Sequence, residues 1–408
     1  MDTLLYGTPY FTESARRFLG AVAALPVRVA VISQEAQEGL PLELRSRFAG
    51  HWRVADALDA DQVTEAARQL ISRHGQPSGF IVASEQMQEA VAATRERLGI
   101  PGMNLTTTRN FRDKARMKFL FREAGVPCAR YRCVTSDAEA IAFGREVGFP
   151  LVLKPLAGAA SQATYRIEDI EALRQAMRAS APGATNPLQL EEFVVGQEHS
   201  LETVSVDGVP QWHSLTRYLP TPLETMRNPW IQWRVVLPRE ADEAAFDDIR
   251  AVGAAALKSL GMGTGLTHLE WFRRNDGSLA VSEVAARPPG AQIVTLISRA
   301  HDIDAHDLWA RLMAFGTFTP PPPRRYAAGA AYLRGLGAGR VRGTTGLAEV
   351  LRDLGDLVTD VSAPRIGQEK ALSYEGEGFV IVRHPETRVV EQALLEIVNR
   401  VRVELVAS

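Results

Sequence analysis

Cysteine is nearly absent from this sequence. Cys128 and Cys133 are the only two among 408 residues, and they are more simply explained as thiols in a reducing compartment than as a disulfide. No C-x-x-C pair is present to complete a zinc-deaminase site around His268 and Glu270. The sequence therefore predicts a cytoplasmic protein and argues against a zinc site of that type.

Long apolar runs and blocks of positive charge are absent as well. No stretch of about 18 apolar residues occurs, and the N-terminus carries Asp2 in place of the positive region of a secretory signal. The net charge is −2, and no long run of lysine and arginine offers a surface for nucleic acid. We therefore expect small-molecule partners rather than a membrane or a nucleic acid.

Lysine is scarce. Only five of the 46 basic residues are lysine, and the other 41 are arginine. High-GC coding is the simplest explanation of this bias. Two of the five, Lys114 and Lys154, nevertheless stand at places where a bound phosphate would favour lysine. The five lysines are Lys114, Lys118, Lys154, Lys258 and Lys370.

The order of elements predicts an α/β protein of several domains. Strands alternate with helices over about the first 100 residues, which is typical of a parallel α/β domain, here residues 1–105. Residues 106–319 follow as a central region with a smaller unit over about 135–205. The proline run Pro320–Pro323 reads as a linker, and residues 324–408 read as a small α/β unit.

The most informative stretch reads as two strands joined by a turn. Asp276-Gly277 predicts a two-residue hairpin loop, since both central positions of such a loop favour φ > 0. Counting back from that loop, Glu270 pairs with Glu283, and Arg287 shares a face with Glu283. Two apposed carboxylates are destabilising without a counter-charge. The pattern therefore favours a divalent cation that holds phosphates over an exposed hairpin with solvated charges.

Two lysine segments have the character of phosphate sites. Lys154 ends a predicted buried strand and precedes a loop of small residues that includes Ser161. Small residues let backbone N–H groups approach an anion, and a lysine adds a point charge, although a solvent-facing lysine explains this segment equally well. Lys114 follows Asp113 at a helix N-terminus, where the dipole disfavours a cation unless a phosphate is near. A solvated helix end is the simpler explanation of Lys114 alone.

Residues 191–198 form a strand that runs into a glycine bend. Glu191, Glu192 and Val194 lie where a strand offers backbone N–H and C=O groups to an adenine edge. Glu198 follows at a distance that suits ribose hydroxyls. An ordinary charged turn is the simpler explanation if the segment stands alone.

Taken together and in this order, these segments resemble the ATP-grasp superfamily of carboxylate–amine ligases. The resemblance covers nearly the whole chain, and it implies an α/β ATP-grasp fold with an N-terminal parallel α/β domain and a small C-terminal α/β subdomain. The matching segments are Asp113-Lys114, Lys154-Pro155, Glu191-Glu192-Phe193 with Glu198, Glu270, and Glu283-x-x-x-Arg287.

The resemblance also implies a role for each residue. Glu270 and Glu283 would hold Mg²⁺ or Mn²⁺. Arg287 would stabilise the acyl phosphate or fix the substrate, and Lys154 would act with it in catalysis. The residues that would bind ATP are Lys114, Lys154, Ser161, Glu191, Glu192, Val194 and Glu198.

Within the superfamily, the chain is most similar to the L-amino acid ligases, which join two free amino acids. The insert that contains Glu224 and Arg227 would bind the substrate, with Glu224 on its amino group and Arg227 on a carboxylate. Arg227 stands where dipeptide ligases carry a histidine, and Ala285 replaces the asparagine of the E-x-N-x-R pattern, which leaves open whether one or two metal ions are held. Family members often dimerise, so a homodimer is a further expectation.

The implied reaction joins a carboxylate to an amine through an acyl phosphate, with release of ADP and phosphate. A carboxylase or purine-pathway ligase of the same superfamily would share every nucleotide residue and use bicarbonate or formate. A nucleotide-binding protein without turnover is a third alternative. It is less favoured, because binding alone does not require Lys154, Glu270, Glu283 and Arg287 together.

Overall fold

The computed structural model describes residues 2–156, 164–228, 230–241 and 243–406. Ser161, which the resemblance assigns to the nucleotide, lies outside the described residues. Within them the chain forms four sheets. No helix in these ranges is long and apolar enough to cross a lipid bilayer.

The N-terminal domain begins with four strands, β1 (Thr3–Thr8), β2 (Arg28–Ser33), β3 (Phe48–Arg53) and β4 (Gly79–Val82). They form a parallel sheet in the order β3-β2-β1-β4, as the alternation of strands and helices predicts. Every residue of β1 is buried, which is the apolar pattern of a parallel strand covered on both faces. The helices of this domain are α1 (Glu13–Ala23), α2 (Leu42–Arg45), α3 (Ala60–His74) and α4 (Gln88–Leu98).

Two helices follow, α5 (Leu105–Arg112) and α6 (Lys114–Glu123). They are separate helices within residues 104–125, a range that the sequence pattern predicts as one helical segment. Asp113 breaks it, because its backbone is extended and its carboxylate accepts the N–H groups of Ala115 and Arg116 as the N-cap of α6. This cap fixes the place where Lys114 begins the new helix.

A small antiparallel sheet, which we call the lid sheet, has the strands β5 (Tyr131–Val134), β6 (Leu151–Pro155), β7 (Tyr165–Ile167) and β8 (Leu188–Glu192). Their order is β5-β8-β6-β7. Helices α7 (Asp137–Val147) and α8 (Ile170–Ser180) contribute apolar side chains to the same small core. Lys154 therefore lies near the end of a central strand of this sheet.

The largest sheet is antiparallel and is called the central sheet below. Its strands are β9 (Gly196–Val206), β10 (Val209–Leu219), β11 (Arg234–Leu237), β12 (Gly265–Arg274), β13 (Leu279–Ala285), β14 (Ala327–Leu333), β16 (Val358–Ser362) and β17 (Gly378–His384). Their order is β13-β12-β9-β10-β11-β14-β17-β16. Strands that follow the proline run thus continue the sheet that carries the predicted metal site. The predicted domain boundaries stay a prediction.

Six further helices and one strand pair complete the fold. Helix α9 begins after Thr221, which caps it, and Pro222 occupies its first turn. Helix α14 ends at Arg400, because the chain continues as a strand. The helices are α9 (Pro222–Arg227), α10 (Asp247–Leu260), α11 (Ile293–His301), α12 (Ala305–Phe315), α13 (Leu347–Leu354) and α14 (Thr387–Arg400), and the pair is β15 (Arg340–Thr345) with β18 (Arg402–Val406).

The β12–β13 hairpin confirms that Glu270 pairs with Glu283, but the predicted two-residue loop is wrong. The N–H of Arg274 donates to the carbonyl oxygen of Ser278 at 2.8 Å, so the loop has three residues, with Gly277 at φ +84°. This loop shifts the pairing by one residue. A bulge beside Glu270 then shifts the pairing back, so the predicted pair is correct for a reason that the sequence count did not include.

Candidate active site

A cavity of about 780 Å³ lies where the N-terminal domain, the lid sheet and the central sheet meet. This is the size range of small-molecule sites, which often lie between domains. Every predicted site residue among the described residues lines this cavity. They are Lys114, Lys154, Glu191, Glu192, Val194, Glu198, Glu224, Arg227, Glu270, Glu283 and Arg287.

The floor of the cavity is an acidic face of the central sheet. Strand β9 pairs with β12 so that Glu202 is opposite His268 and Ser200 is opposite Glu270. Residues opposite each other in an antiparallel pair point to the same face. Glu198, two residues before Ser200, therefore joins Glu270 and Glu283 on this face, and burial and these two carboxylates raise the pKa of Glu198 well above its usual range.

Glu283 is compensated by lysine. The Lys114 Nζ lies 2.9 Å from the Glu283 Oε2, and both side chains are largely buried. Burial alone would raise the pKa of Glu283, but the positive charges of Lys114, Lys154 and Arg287 hold it at about 2. Burial would lower the pKa of Lys114, and Glu283 raises it instead. The lysine that begins α6 thus neutralises a carboxylate of the predicted metal pair.

His268 lies between Glu202 and Glu270. Its Nδ1 lies 2.8 Å from a carboxylate oxygen of Glu202, and its Nε2 lies 3.5 Å from Glu270. Glu202 also accepts bonds from Ser200 Oγ at 2.6 Å and Thr216 Oγ1 at 3.0 Å. Burial lowers the pKa of His268, but the two glutamates outweigh burial and raise that pKa to about 9. The imidazole is therefore a cation that orients Glu270.

Glu191 accepts two lysines. Its Oε1 lies 3.0 Å from the Lys154 Nζ and 3.6 Å from the Lys118 Nζ, and all three residues are buried. Burial raises the pKa of Glu191, yet the two lysine charges lower it below its usual value. Gln189 also donates to this carboxylate. The Glu191 side chain is thus committed to holding lysines, and Lys154 is a buried cation rather than a solvent-facing one.

The segment after Glu191 connects β8 of the lid sheet to β9 of the central sheet. The N–H of Glu192 donates to Arg130 at 2.9 Å and the N–H of Phe193 donates to Pro150 at 3.2 Å, so these two groups are already used inside the protein. The Glu192 carboxylate accepts Arg130 and Arg274 at 2.7 and 2.6 Å. Burial raises the pKa of Glu192, but the bonds from Arg274 and Arg130 lower it overall. Glu191 is paired with β5 and β6 within the lid sheet, so Val194 is the predicted adenine contact whose backbone lies outside these bonds and strand pairs.

Arg287 meets the N-terminal domain through Glu85. Its Nε and Nη2 lie 2.9 and 2.8 Å from the Glu85 Oε2, and Arg112 pairs with the same carboxylate. Burial lowers the pKa of Arg287, but Glu85 raises it overall. Glu85 follows β4, at the carboxyl end of a parallel strand where ligands commonly bind in α/β domains. Glu85 is not among the residues predicted from the sequence, although its position after a parallel strand is a signal of a ligand site.

The two predicted substrate residues lie on α9. Glu224 is exposed to the cavity, and its N–H is capped by Thr221 at 3.1 Å. The guanidinium of Arg227 lies 3.4 Å from Glu168, which follows β7 of the lid sheet. Arg227 therefore connects α9, which lines the cavity, to the lid sheet.

Known proteins match the central part of the chain. A model described as the ATP-grasp domain matches residues 119–301. The matched segment is less than half of the chain. It contains the lid sheet and strands β9 to β13, and with them Lys154, Glu191, Glu270, Glu283 and Arg287. The ATP-grasp fold predicted from the resemblance is confirmed.

Curated relatives and a solved structure are similar to this chain over longer stretches. The L-arginine-specific L-amino acid ligase of Bacillus subtilis is 23% identical over 283 residues, which are 68% of this chain and 67% of that protein. The alanine–anticapsin ligase of Bacillus subtilis strain 168 is 26% identical over 55% of this chain, a match that spans 52% of its own length. The L-amino acid ligase from Bacillus licheniformis superposes with a TM-score of 0.80 at 19% identity, over 100% of this chain and 99% of that chain, which shows a common fold.

Proposed function

We propose that this protein is an ATP-dependent ligase that joins the carboxylate of an amino acid to an amine and releases ADP and phosphate. The observation that carries the proposal is the convergence of two lysines, a directly paired glutamate couple and an arginine on one cavity: Lys114, Lys154, Glu270, Glu283 and Arg287. ATP-grasp relatives that are named as amino acid ligases support this choice of substrate class.

The nucleotide would lie between the lid sheet and the central sheet. Lys154 lies near the end of β6 and Lys114 begins α6, and the Lys114 N–H donates to the carbonyl oxygen of Leu156 at 3.0 Å, so both lysines would reach the phosphates from neighbouring positions. The backbone of Val194 would meet the adenine edge, and Glu198 would accept the ribose hydroxyls. A hydroxyl bond would also suit the raised pKa of Glu198, since a protonated carboxyl accepts and donates hydrogen bonds.

Glu270 and Glu283 would hold a divalent cation, Mg²⁺ or Mn²⁺, together with ATP phosphate oxygens. Mg²⁺ is commonly bound by one or two carboxylates plus substrate phosphates. The donor set fits that habit: two carboxylates oppose each other, Ala285 offers no side-chain ligand, and no group of three His, Cys, Asp or Glu ligands converges in the described part of the chain. When bound, the cation would neutralise charge on the transferred phosphoryl group.

The reaction would take two steps. A carboxylate oxygen of the donor substrate attacks the γ-phosphorus of ATP, and ADP leaves. The nitrogen of the second substrate, after losing a proton, then attacks the acyl carbon, and the acyl C–O bond breaks to release phosphate. Arg287 is held by Glu85 at the cavity wall, where its guanidinium would stabilise the carbonyl and phosphoryl oxygens of the acyl phosphate. The surrounding walls would exclude water that would hydrolyse this intermediate.

Substrate binding would involve α9. Glu224 faces the cavity and would accept the α-ammonium group of an amino acid. Arg227 would bind a carboxylate if it exchanges Glu168 for the substrate. A homodimer remains a prediction of the resemblance, and a cytoplasmic location remains a prediction from the two cysteines.

The function is tested by coupling ATP use to amide formation. Purified protein is incubated with ATP, Mg²⁺ and amino acids, singly and in pairs, and ADP, phosphate and peptide products are measured. We expect ADP to form only with amino acids and to be matched by a new amide. Equal ADP formation without them, or formation only with bicarbonate or formate, would instead support the carboxylase or purine-pathway alternative.

Replacement of Arg287 separates chemistry from nucleotide binding. Arg287→Ala should reduce kcat by about 10²-fold or more, because its charge acts on the developing oxyanion, while the Kd for ATP stays near the wild-type value. Arg311→Ala, an exposed arginine on α12 paired only with Asp307 among the described residues, is the matched control. An Arg287→Ala enzyme with normal kcat would remove Arg287 from the mechanism.

A further inference from the structure

The glutamates of the cavity divide into those with a cationic partner and those without. Five have one: Glu85 with Arg287, Glu191 with Lys154, Glu192 with Arg274, Glu270 with His268 and Glu283 with Lys114. The other three, Glu198, Glu224 and Glu375, form no ion pair with a lysine, arginine or histidine in the described ranges. Glu198 stands at the proposed ribose position. Glu224 and Glu375 remain for the substrate.

Glu375 is held rigidly at the cavity wall by the loop between β16 and β17. The next residue, Gly376, has φ +65°, and a Cβ there would lie 2.5 Å from the carbonyl oxygen of Leu333, so only glycine fits. Glu377 is buried, and its carboxylate accepts the N–H groups of Gly335 at 2.6 Å and Ala371 at 2.8 Å. The loop is thereby anchored on both sides of the position that directs Glu375 inward.

The carboxylate of Glu375 points toward the segment that follows Arg287. Its Oε1 accepts the N–H of Ala291 at 3.3 Å, and no hydrogen bond to the Oε2 is formed by the described residues. Burial raises the pKa of Glu375, and the Ala291 bond offsets only part of this rise. A carboxylate with an unused oxygen, in the cavity that Arg287 also lines, has the geometry of a ligand contact rather than of a structural ion pair.

Aromatic rings surround the same end of the cavity. Tyr374 packs edge-on against Trp233 with ring centroids 4.5 Å apart, and Tyr218 lies 5.6 Å from Trp233 on another side. All three line the cavity. Aromatic faces attract ammonium and guanidinium groups, and this attraction strengthens in a desolvated site. The wall beside Glu375 therefore favours a cation on an aliphatic stem.

We propose that Glu375 is a specificity-determining residue that binds the cationic side chain of an amino-acid substrate, so that the enzyme selects basic amino acids. The inference rests on the proposed ligase function. In that function the α-ammonium group needs one unpaired carboxylate, for which Glu224 is available. Glu375, fixed beside Tyr374, then has an unsatisfied charge that only a second positive group of the substrate would match.

The wild-type enzyme gives the first test. Amino-acid-dependent ADP formation is compared for arginine against citrulline and for lysine against norleucine, pairs that keep the stem and remove the charge. We expect kcat/KM for the cationic member to exceed that of its neutral counterpart by about 100-fold, as for a buried charge pair. Equal values in both pairs would overturn the role of Glu375.

The variant test uses Glu375→Gln, which preserves the size of the side chain and its ability to accept the Ala291 N–H. We expect kcat/KM for arginine or lysine to fall about 100-fold while the value for citrulline or norleucine and the KM for ATP stay unchanged. Glu369→Gln is the control, since Glu369 is on the same loop, exposed, and paired with Arg340 at 2.5 Å. A lower Tm with unaltered discrimination would make Glu375 a structural residue and overturn the proposal.

The two proposals fail in different ways. Absence of amino-acid-dependent ADP formation with every substrate would contradict the ligase function and, with it, the role of Glu375. Brisk turnover of neutral amino acids, unaffected by Glu375→Gln, would contradict the selectivity and leave the ligase function in place. The wild-type comparison does not depend on how well the variant folds.

Discussion

Glu191 is the residue around which the buried charges of the site are arranged. It separates two lysines that come from different parts of the chain, Lys118 on α6 and Lys154 on β6. Burial lowers the pKa of Lys118, and Glu191 opposes that effect. The Lys118 Nζ also donates to the carbonyl oxygen of Val281 at 3.2 Å, which joins α6 to the hairpin that carries Glu283.

Removal of Lys118 should therefore cost stability. Lys118→Met keeps the length of the side chain but leaves Glu191 with Lys154 as its remaining lysine partner and the Val281 carbonyl without its donor. We expect the free energy of unfolding to fall by about 1–3 kcal/mol, the usual cost of leaving a buried polar group unsatisfied. Urea unfolding measures it, and Lys258→Met, on the exposed face of α10, should change it by less than about 0.5 kcal/mol. Equal losses in the two variants would show that the Lys118 ion pair contributes nothing.

The sequence indicates the lysines of the site more clearly than the residues that contact them. Lys114 and Lys154 stand out because a helix N-terminus and a buried strand end make a lysine unusual. Lys118 is one turn after Lys114 on the same helix, so it reads as an ordinary helical residue. Glu85 comes from the N-terminal domain, about 200 residues before Arg287, and no local pattern links the two. Contacts made only by the tertiary fold are invisible to spacing.

At the scale of elements, the hairpin shows how a correct pairing can follow from an incorrect loop. Asp276-Gly277 is a genuine turn signal, and Gly277 has the positive φ that the signal demands. The third loop residue is Asn275, since Arg274 already pairs with Ser278. The compensating bulge depends on how β13 packs against α6, where Val284 and Val281 contact the core that holds Met117. Such packing is not encoded by a turn motif.

The contact between α1 and α12 makes folding sensitive to acid. The imidazole of His306 packs on the ring of Phe18 with centroids 4.8 Å apart, and Trp309 lies 4.9 Å from Phe18. Burial is the main cause that lowers the pKa of His306 to about 4, from 6.5. Below pH 6.5 the unfolded chain takes up a proton that the folded chain excludes. Stability from this neutral histidine is thus complete above pH 6.5 and is lost as the pH falls toward 4.

His306→Gln should weaken that pH dependence. Between pH 7 and pH 4.5 the wild-type free energy of unfolding should fall by up to about 3 kcal/mol more than that of the variant, since the variant has no imidazole to protonate. Urea titrations of both proteins at the two pH values give the difference. His199, whose pKa burial also lowers to about 4, is present in both and cancels. Parallel pH profiles would show that His306 does not titrate with unfolding.

At the scale of the whole molecule, one ion pair joins the lid sheet to α9 beside the cavity. Arg227 and Glu168 are partly exposed, and exposed pairs contribute about 0.2–1 kcal/mol. A free energy of this size would change the ratio of molecules with the pair formed to molecules with the pair broken by up to about five-fold. If the pair closes the cavity, Arg227→Ala and Glu168→Ala should raise the fraction of ATP hydrolysed without amide formation, and by similar factors.

The same variants distinguish closure from substrate binding. If Arg227 binds a substrate carboxylate, Arg227→Ala alone should raise the KM of an amino acid, and Glu168→Ala should behave as wild type. The ratio of phosphate released to amide formed, measured with each amino acid varied, separates the two outcomes. Arg174→Ala, on α8 of the same lid unit and paired with Glu171, is the control.

The proline run between Phe318 and Arg324 reads as a boundary between independent units, yet strands from both sides of the run belong to the central sheet. β11 has β10 on one side and β14 on the other, and a Cβ at Gly329 of β14 would lie 2.5 Å from the side chain of Leu394 on α14. A chain ended at the prolines would leave β11 as a bare edge strand, with unpaired N–H and C=O groups and its apolar face uncovered. Such an edge recruits other chains. The C-terminal segment thus keeps β11 paired on both sides, and the sheet that carries Glu270 and Glu283 depends on strands from beyond the proline run.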